Sequence, residues 1–98
     1  MPYMIETFDR QDAGELRQQL RPAHLEYLKQ NKGLLLACGA KLQDDGSTGT
    51  GSFYIVDVET RAEAQAFINA DPFASGGLFE RMVFNRWRKA YLNGESYL

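Results

Sequence analysis

The sequence predicts an α+β domain built in the order strand, helix, strand, strand, helix, strand. Residues 12–32 and 60–71 place apolar side chains three and four positions apart, which is the spacing of amphipathic helices. Four other segments are rich in β-branched, aromatic and aliphatic residues and are bounded by turn-forming residues, as strands are. A chain of 98 residues has room for one core, so we expect residues 1–98 to form a single domain.

The first strand is predicted at residues 2–8, where strand-forming side chains end at turn-forming aspartates. The first helix is predicted over residues 12–32, and Gly33 is suited to end it. Pro22 interrupts the helical pattern, because proline lacks a backbone N–H and its ring clashes with the preceding turn. We therefore expect either a kink at Pro22 or a short helix followed by a second one that begins there.

The second and third strands are predicted at residues 34–40 and 52–58, joined as a hairpin through the turn and loop residues 44–51. Both strands carry bulky apolar side chains at successive positions, without the alternation of a half-exposed strand. A strand that is apolar on both sides is expected to be covered on both sides.

The second helix is predicted to begin at Thr60, because its spacing from Glu63 forms a capping box. It is predicted to end at Asp71, because the residue before a proline is disfavoured in helical geometry. A flexible connection at residues 75–77 leads to the last strand, predicted at residues 78–88.

This order predicts the ferredoxin-like βαββαβ arrangement, a four-stranded antiparallel sheet with two helices on one face. We expect its core to span residues 2–89, and no structure is predicted for the polar tail at residues 90–98. Two helices cover only one face of the sheet, whereas the second and third strands are apolar on both. A second copy of the chain is the simplest cover, so we expect a homodimer packed sheet against sheet.

The composition argues against several partners and locations. A net charge of −2 gives no electrostatic reason to bind nucleic acid or an acidic membrane. Basic and aromatic residues alternate in residues 81–91, but they lack an RNA-binding signature and packing explains them more simply. The single cysteine, Cys38, allows no internal disulfide, and we find neither a secretory signal nor an apolar run of membrane-spanning length. We therefore expect a cytoplasmic protein.

Cofactors and metals find little support in the sequence. One histidine and one cysteine give no metal-ligand spacing. The glycines of residues 49–51 do not lie between a strand and a helix, as a phosphate-binding loop requires. Cys38 is expected to be a small buried side chain of the second strand.

The candidate site is the only histidine, His24, together with Asp71. Histidine is the side chain whose charge changes near neutral pH. The two helices of a ferredoxin-like fold run parallel, so His24 and Asp71 can meet at one edge of the sheet. A carboxylate that orients an imidazole suits it to general acid–base catalysis. Two alternatives stay open, because a lone histidine is often a surface residue and Asp-Pro is a common helix stop.

Five segments of the chain form a recognisable set: RPAHLEYL at 21–28, GLLLACGA at 33–40, GSFYIV at 51–56, EA at 63–64 and DPF at 71–73. In these segments and their order the chain resembles the YciI-like, or YCII-related, family from Tyr3 to about Lys89. The R-P-x-H-L and D-P-F motifs are fairly specific when they occur together. The chain departs from many relatives at residues 85–87, where they carry a proline in the last strand, and its tail is longer.

The resemblance implies a dimeric α+β barrel in which two ferredoxin-like subunits join through their sheets. It implies that His24 and Asp71 form an acid–base pair, and we expect Arg21, Ser52 and Phe73 to bind the substrate. A family member that acts in chloroaromatic breakdown removes hydrogen chloride without a cofactor.

We therefore expect a cofactor-free lyase or isomerase that acts on a small anionic cyclic or aromatic metabolite. A non-catalytic small-ligand binder that keeps the same dimer and pocket is the alternative. The wider superfamily also contains cofactor-free monooxygenases and haem binders.

Overall fold

The chain folds around one sheet and two longer helices. The computed structural model describes residues 1–98. Its elements are β1 (Tyr3–Asp9), α1 (Gly14–Gln30), β2 (Leu35–Leu42), β3 (Thr48–Val56), α2 (Arg61–Ala70), the one-turn α3 (Pro72–Ser75) and β4 (Phe79–Arg86). The four strands are antiparallel and lie in the order β2-β3-β1-β4. This is the ferredoxin-like α+β fold that the sequence predicts.

The core lies between the helices and one face of the sheet. Alternation along the strands places Tyr3 and Ile5 of β1 on that face, opposite Val56 and Tyr54 of β3. All four side chains are buried. The α2 side chains that pack against them are Ala64, Phe67 and Ile68. These α2 positions lie one turn apart, so the apolar stripe predicted for the second helix is the one that is buried.

The first helix is not divided at Pro22. It runs from Gly14 to Gln30 as one α-helix with Pro22 inside it, so the expected two-helix alternative is wrong. Pro22 is exposed, and buried side chains lie on either side of it along the helix, at Arg17 and His24. Proline removes one backbone hydrogen bond from the helix. The buried contacts of the turns before and after Pro22 stabilise the helix in spite of that loss.

The second strand is less covered than its composition predicts. β2 is an edge strand, and residues 37–40 are exposed in the single chain. Cys38 is among them, so the expectation of a buried thiol is wrong. The reason is that α1 stands away from β2 and leaves a cavity between them. The side of β2 that faces the helices therefore lines an opening instead of the core.

Two segments near the C-terminus have more structure than the sequence predicted. α3 lies just before the expected flexible connection at residues 75–77 and includes its first residue, Ser75. The tail forms a small hairpin of β5 (Tyr91–Leu92) and β6 (Glu95–Ser96). Asn93 and Gly94 form its turn, both with positive φ (57° and 80°), a conformation that Asn-Gly adopts readily.

The face of the sheet turned away from the helices is only partly covered. Strand alternation places an apolar set on this outer face, flanked by the ion pair of Lys41 and Glu6. Its apolar side chains are Met4, Phe8, Phe53, Ile55 and Val83.

None of the helices combines the length and the apolar character that crossing a membrane would need.

Candidate active site

One face of α1 lines a cavity of about 810 Å³ that opens beside β2 and β3. Positions three and four apart on a helix share a face, so Gly14, Arg17, Arg21, His24 and Leu28 all border this space. Its opposite wall is formed by β2 and β3, and Phe73 of α3 borders it as well. A cavity of this size is in the range that holds a small organic molecule.

His24 and Asp71 are in direct contact although 47 positions separate them. Nδ1 of His24 lies 2.8 Å from Oδ1 and 2.9 Å from Oδ2 of Asp71. The imidazole is 7% exposed and the aspartate is fully buried. An aspartate withdrawn from water is stabilised only by the donors around it, so this contact is a principal feature of the site.

Asp71 receives two further hydrogen bonds that fix its orientation. The backbone N–H of Phe73 donates to Oδ1 over 2.9 Å, and the hydroxyl of Tyr54 donates to Oδ2 over 3.1 Å. The first bond makes Asp71 the N-cap of α3 as well as the residue that ends α2. The carboxylate therefore lies at the start of a helical turn, where negative charge is favourable, and not only among exposed carbonyls.

These bonds also fix which nitrogen of His24 carries the proton. An ionised carboxylate can only accept hydrogen bonds, so Nδ1 must donate to Asp71. The other ring nitrogen, Nε2, forms no hydrogen bond within the chain and is reached from the cavity that His24 lines. In the neutral ring Nε2 is a base, and in the charged ring it is an acid.

Phe73 holds the imidazole from a second side. Its ring stacks on that of His24 with centroids 3.7 Å apart and planes inclined by 12°. Phe73 is 1% exposed, so nearly all of its side chain is packed against other protein atoms. The stacking and the bond to Asp71 together leave the ring little freedom.

Arg17 is a buried residue of the site that the sequence analysis missed. Its Nη1 donates to Asp9 over 2.7 Å and its Nη2 donates to the hydroxyl of Ser52 over 2.8 Å. Its guanidinium also lies 4.8 Å from the centroid of the Phe73 ring. The repeat of Arg17, Arg21 and His24 on one helix face was the available signal, but leucine spacing dominated the pattern.

The other two predicted residues on the cavity wall, Arg21 and Ser52, differ in their exposure and in their partners within the chain. Arg21 is exposed, borders the cavity and forms no ion pair within the chain. Ser52 is buried at 3% exposure, and its hydroxyl is already engaged by Arg17. Arg21 is therefore the cation that remains available to a ligand, whereas the charge of Arg17 is largely balanced by Asp9.

Burial and the charge of Asp71 act on three neighbouring acids. The pKa of Tyr54 is raised far above its ordinary value of 10.0, first by burial and then by the negative charge of Asp71. The same two causes, in the same order, raise the pKa of the Cys38 thiol and that of Tyr27. Tyr54 is therefore a neutral donor to Asp71 at any physiological pH.

No group of three or more His, Cys, Asp or Glu side chains is placed to hold a metal ion.

Comparisons with known proteins agree with this architecture. Residues 1–88 match the family model described as the YCII-related domain. Protein YciI of Escherichia coli is 35% identical over 98 aligned positions, covering 93% of this chain and 100% of that protein. Protein YciI of Shigella flexneri gives the same identity and coverage.

A solved structure also matches with high similarity. It is 5-chloro-2-hydroxyhydroquinone dehydrochlorinase (TftG) from Burkholderia phenoliruptrix, in complex with 2,5-dihydroxybenzoquinone. Its sequence is 33% identical, the TM-score is 0.81, and the match covers 90% of this chain and 94% of that one. The chain belongs to the YCII-related, YciI-like family.

Proposed function

We propose that this protein is a cofactor-independent acid–base catalyst, a lyase or isomerase acting on a small anionic cyclic or aromatic metabolite. The observation that carries the proposal is the buried bond between His24 and Asp71, which leaves Nε2 facing a ligand-sized cavity. A fixed imidazole with one free nitrogen is suited to proton transfer, which typically contributes about 10²–10⁴ to the rate.

In the proposed step, Nε2 of neutral His24 removes a proton from a hydroxyl group, or from a tetrahedral ring carbon next to a carbonyl, in the keto form of the ring substrate. The electron pair of that O–H or C–H bond moves into the conjugated ring system. Asp71 stabilises the imidazolium that forms, because its carboxylate lies 2.8 Å from Nδ1. Return of the proton to another atom completes an isomerisation, whereas departure of a leaving group such as chloride, with its electron pair, completes an elimination.

The substrate would be held by residues of the same wall. Arg21 is placed to pair with an anionic group, since no acidic side chain of the chain neutralises it. Ser52 offers a hydroxyl on the strand side. The Phe73 ring is occupied on one side by His24, so its contribution to substrate binding is through the imidazole it supports.

The similarity to the dehydrochlorinase supports an elimination and suggests the first compound to assay. The experiment measures chloride release from 5-chloro-2-hydroxyhydroquinone by the wild type, His24→Ala and Asp71→Asn. Asn at position 71 can still cap α3, so Asp71→Asn keeps the fold while removing the charge. Asp57→Asn, at an exposed position, is the matched control.

Release by the wild type and by Asp57→Asn, with losses of about 10²–10⁴ in the two site variants, is the expected result. Equal rates in the wild type and His24→Ala would refute the acid–base role. Tight binding of a ring-shaped anion without turnover of any such compound would instead favour the non-catalytic binder.

We also propose that the chain forms a homodimer through the outer face of its sheet. The apolar side chains Met4, Phe53 and Val83 on that face are only partly buried within the chain, whereas the Phe8 ring is contacted by Lys41 and Arg81. Light scattering should give twice the chain mass, and Phe53→Glu should give a monomer. A wild type that is monomeric at micromolar concentration would contradict this.

A cytoplasmic location also remains our proposal, supported by the single unpaired cysteine.

A further inference from the structure

Arg17 and Ser52 form a buried polar contact in the cavity that the acid–base pair does not use. Nη2 of Arg17 donates to Oγ of Ser52 over 2.8 Å, and both residues are at most 9% exposed. A guanidinium has donors only, so the Ser52 hydroxyl must be the acceptor in this bond. The hydroxyl hydrogen of Ser52 is thereby left for another acceptor.

No acceptor within the chain forms a hydrogen bond of ordinary length with that hydrogen. The closest hydroxyl on the same face of β3 is that of Tyr54, and its own hydrogen is donated to Asp71. A weak hydrogen-bonding interaction of the Ser52 side chain with the Tyr54 hydroxyl lowers the pKa of Tyr54 slightly, against the larger effects of burial and Asp71. The two hydroxyls do not form a hydrogen bond within 3.5 Å, so a ligand acceptor at ordinary distance can replace this interaction. Ser52 borders the same cavity as His24, so the free donor lies where a ligand would lie.

Arg17 is held firmly enough to orient this hydroxyl. Its Nη1 pairs with Asp9 over 2.7 Å, and both side chains are about nine-tenths buried. The guanidinium also packs on the ring of Phe73, which in turn stacks on His24. Donors that are fixed before the reaction stabilise developing charge without a cost of reorganisation.

We propose that the Ser52 hydroxyl donates a hydrogen bond to the substrate oxygen that becomes negative when His24 removes a proton, and that Arg17 is the positioning residue that directs it. This inference rests on the proposed function and names its substrate class. The substrate is a ring in which a carbonyl oxygen is conjugated to the carbon that loses the proton. The C–H electron pair then becomes the ring double bond of an enolate or phenolate, the carbonyl pair moves onto oxygen, and no oxidant or reductant is needed.

The test measures binding of 2,5-dihydroxybenzoquinone, an acidic ring compound with conjugated oxygens, by calorimetric and absorbance titration. The variants are Ser52→Ala, Arg17→Lys and the double variant. Ser96→Ala and Arg88→Lys, at exposed positions, are the matched controls. The backbone N–H of Ser52 keeps its bond to Thr7 (2.9 Å) in Ser52→Ala, and the pair of Arg17 and Asp9 stays intact, so this variant should fold.

We expect Ser52→Ala to weaken quinone binding by about 10- to 100-fold, as the loss of a hydrogen bond to a charged group does. Arg17→Lys should weaken binding as well, but it should add less than about threefold in the Ser52→Ala background, because it acts through the serine. In turnover, Ser52→Ala should lower kcat by about 10²–10³. The control variants should bind as the wild type does.

Quinone binding that is unchanged in Ser52→Ala would overturn this inference and leave the acid–base proposal standing. A full effect of Arg17→Lys in the Ser52→Ala background would show that Arg17 does not act through the serine. A wild-type protein that binds no quinone and releases no chloride would overturn both proposals. If Arg17→Lys fails to fold, the result with Ser52→Ala alone decides.

Discussion

The ring of Phe73 lies nearly parallel to the imidazole of His24, with the two centroids 3.7 Å apart. Phe73 also supplies, through its backbone N–H, one of the hydrogen bonds that hold Asp71. One residue therefore orients both members of the pair. Because α3 is a single turn that begins at Pro72, its geometry depends on the Asp71 cap, and the three side chains are mutually dependent.

Phe73→Leu should separate the packing role of this ring from its role in the site. The free energy of unfolding should fall by about 1 kcal/mol, since volume is nearly conserved but the ring contact is lost. Turnover should fall by about tenfold or more, because the imidazole is less well positioned. Phe67→Leu is the matched control, since Phe67 is also buried but contacts Tyr27 and Tyr54 instead of His24. Equal turnover in both variants would argue against a positioning role, and urea unfolding measures the stabilities.

The raised pKa of Tyr54 predicts how stability changes in alkaline solution. Unfolding returns the phenol to its ordinary pKa of 10.0, whereas burial and Asp71 keep it protonated in the native state. The native state therefore binds more protons above pH 10, and the free energy of unfolding should decrease as the pH rises beyond that value. Below pH 10 this contribution is fully present.

Denaturant unfolding of the wild type and Tyr54→Phe between pH 8 and pH 12 measures the effect. Tyr54→Phe should show a shallower decrease, and Tyr97→Phe, at an exposed position, should follow the wild type. Parallel curves for the wild type and Tyr54→Phe would contradict the prediction.

The Cys38 thiol should report the charge of Asp71 without any substrate. Partial desolvation against the cavity wall, and secondarily that charge, raise the pKa of the thiol, so less thiolate is present at pH 8 than in a free cysteine. Alkylation by iodoacetamide should therefore be slower than for a cysteine peptide, although Cys38 is exposed to the cavity. In Asp71→Asn the rate should increase, and in Asp57→Asn it should not. A rate that is the same in all three proteins would show that the carboxylate does not act on the thiol.

Gly51 is required where β1 and β3 approach each other. A Cβ at this position would lie 1.8 Å from the carbonyl oxygen of Thr7, which is backbone and cannot turn aside. Gly51→Ala should therefore lower the free energy of unfolding by about 3 kcal/mol or more. Gly39→Ala, in the neighbouring strand with open space around its Cβ, should change it far less. Thermal unfolding of the two variants checks this, and similar midpoints would refute it.

Local patterns in the sequence were sufficient to predict most of the fold. Thr60 caps α2 as predicted, with 3.1 Å between the Glu63 N–H and the Thr60 hydroxyl, although the Glu63 carboxylate accepts from that hydroxyl and not from the Thr60 backbone N–H. The start and end of α2 follow from residues a few positions apart, whose preferences act within one turn. Boundaries were less well predicted where tertiary contacts decide, as in β3, which begins at Thr48 and not at residue 52.

The sequence by itself determined the element order, the helical face that carries His24, and the candidate partner Asp71. Only the tertiary structure decided that these two touch, that Tyr54 and Phe73 fix them, and that Arg17 joins Asp9 to Ser52 from 8 and 35 positions away. The physical reason is the range of the interactions. Caps and apolar periodicity act between neighbours in the chain, whereas hydrogen bonds between buried side chains depend on how the sheet and helices pack.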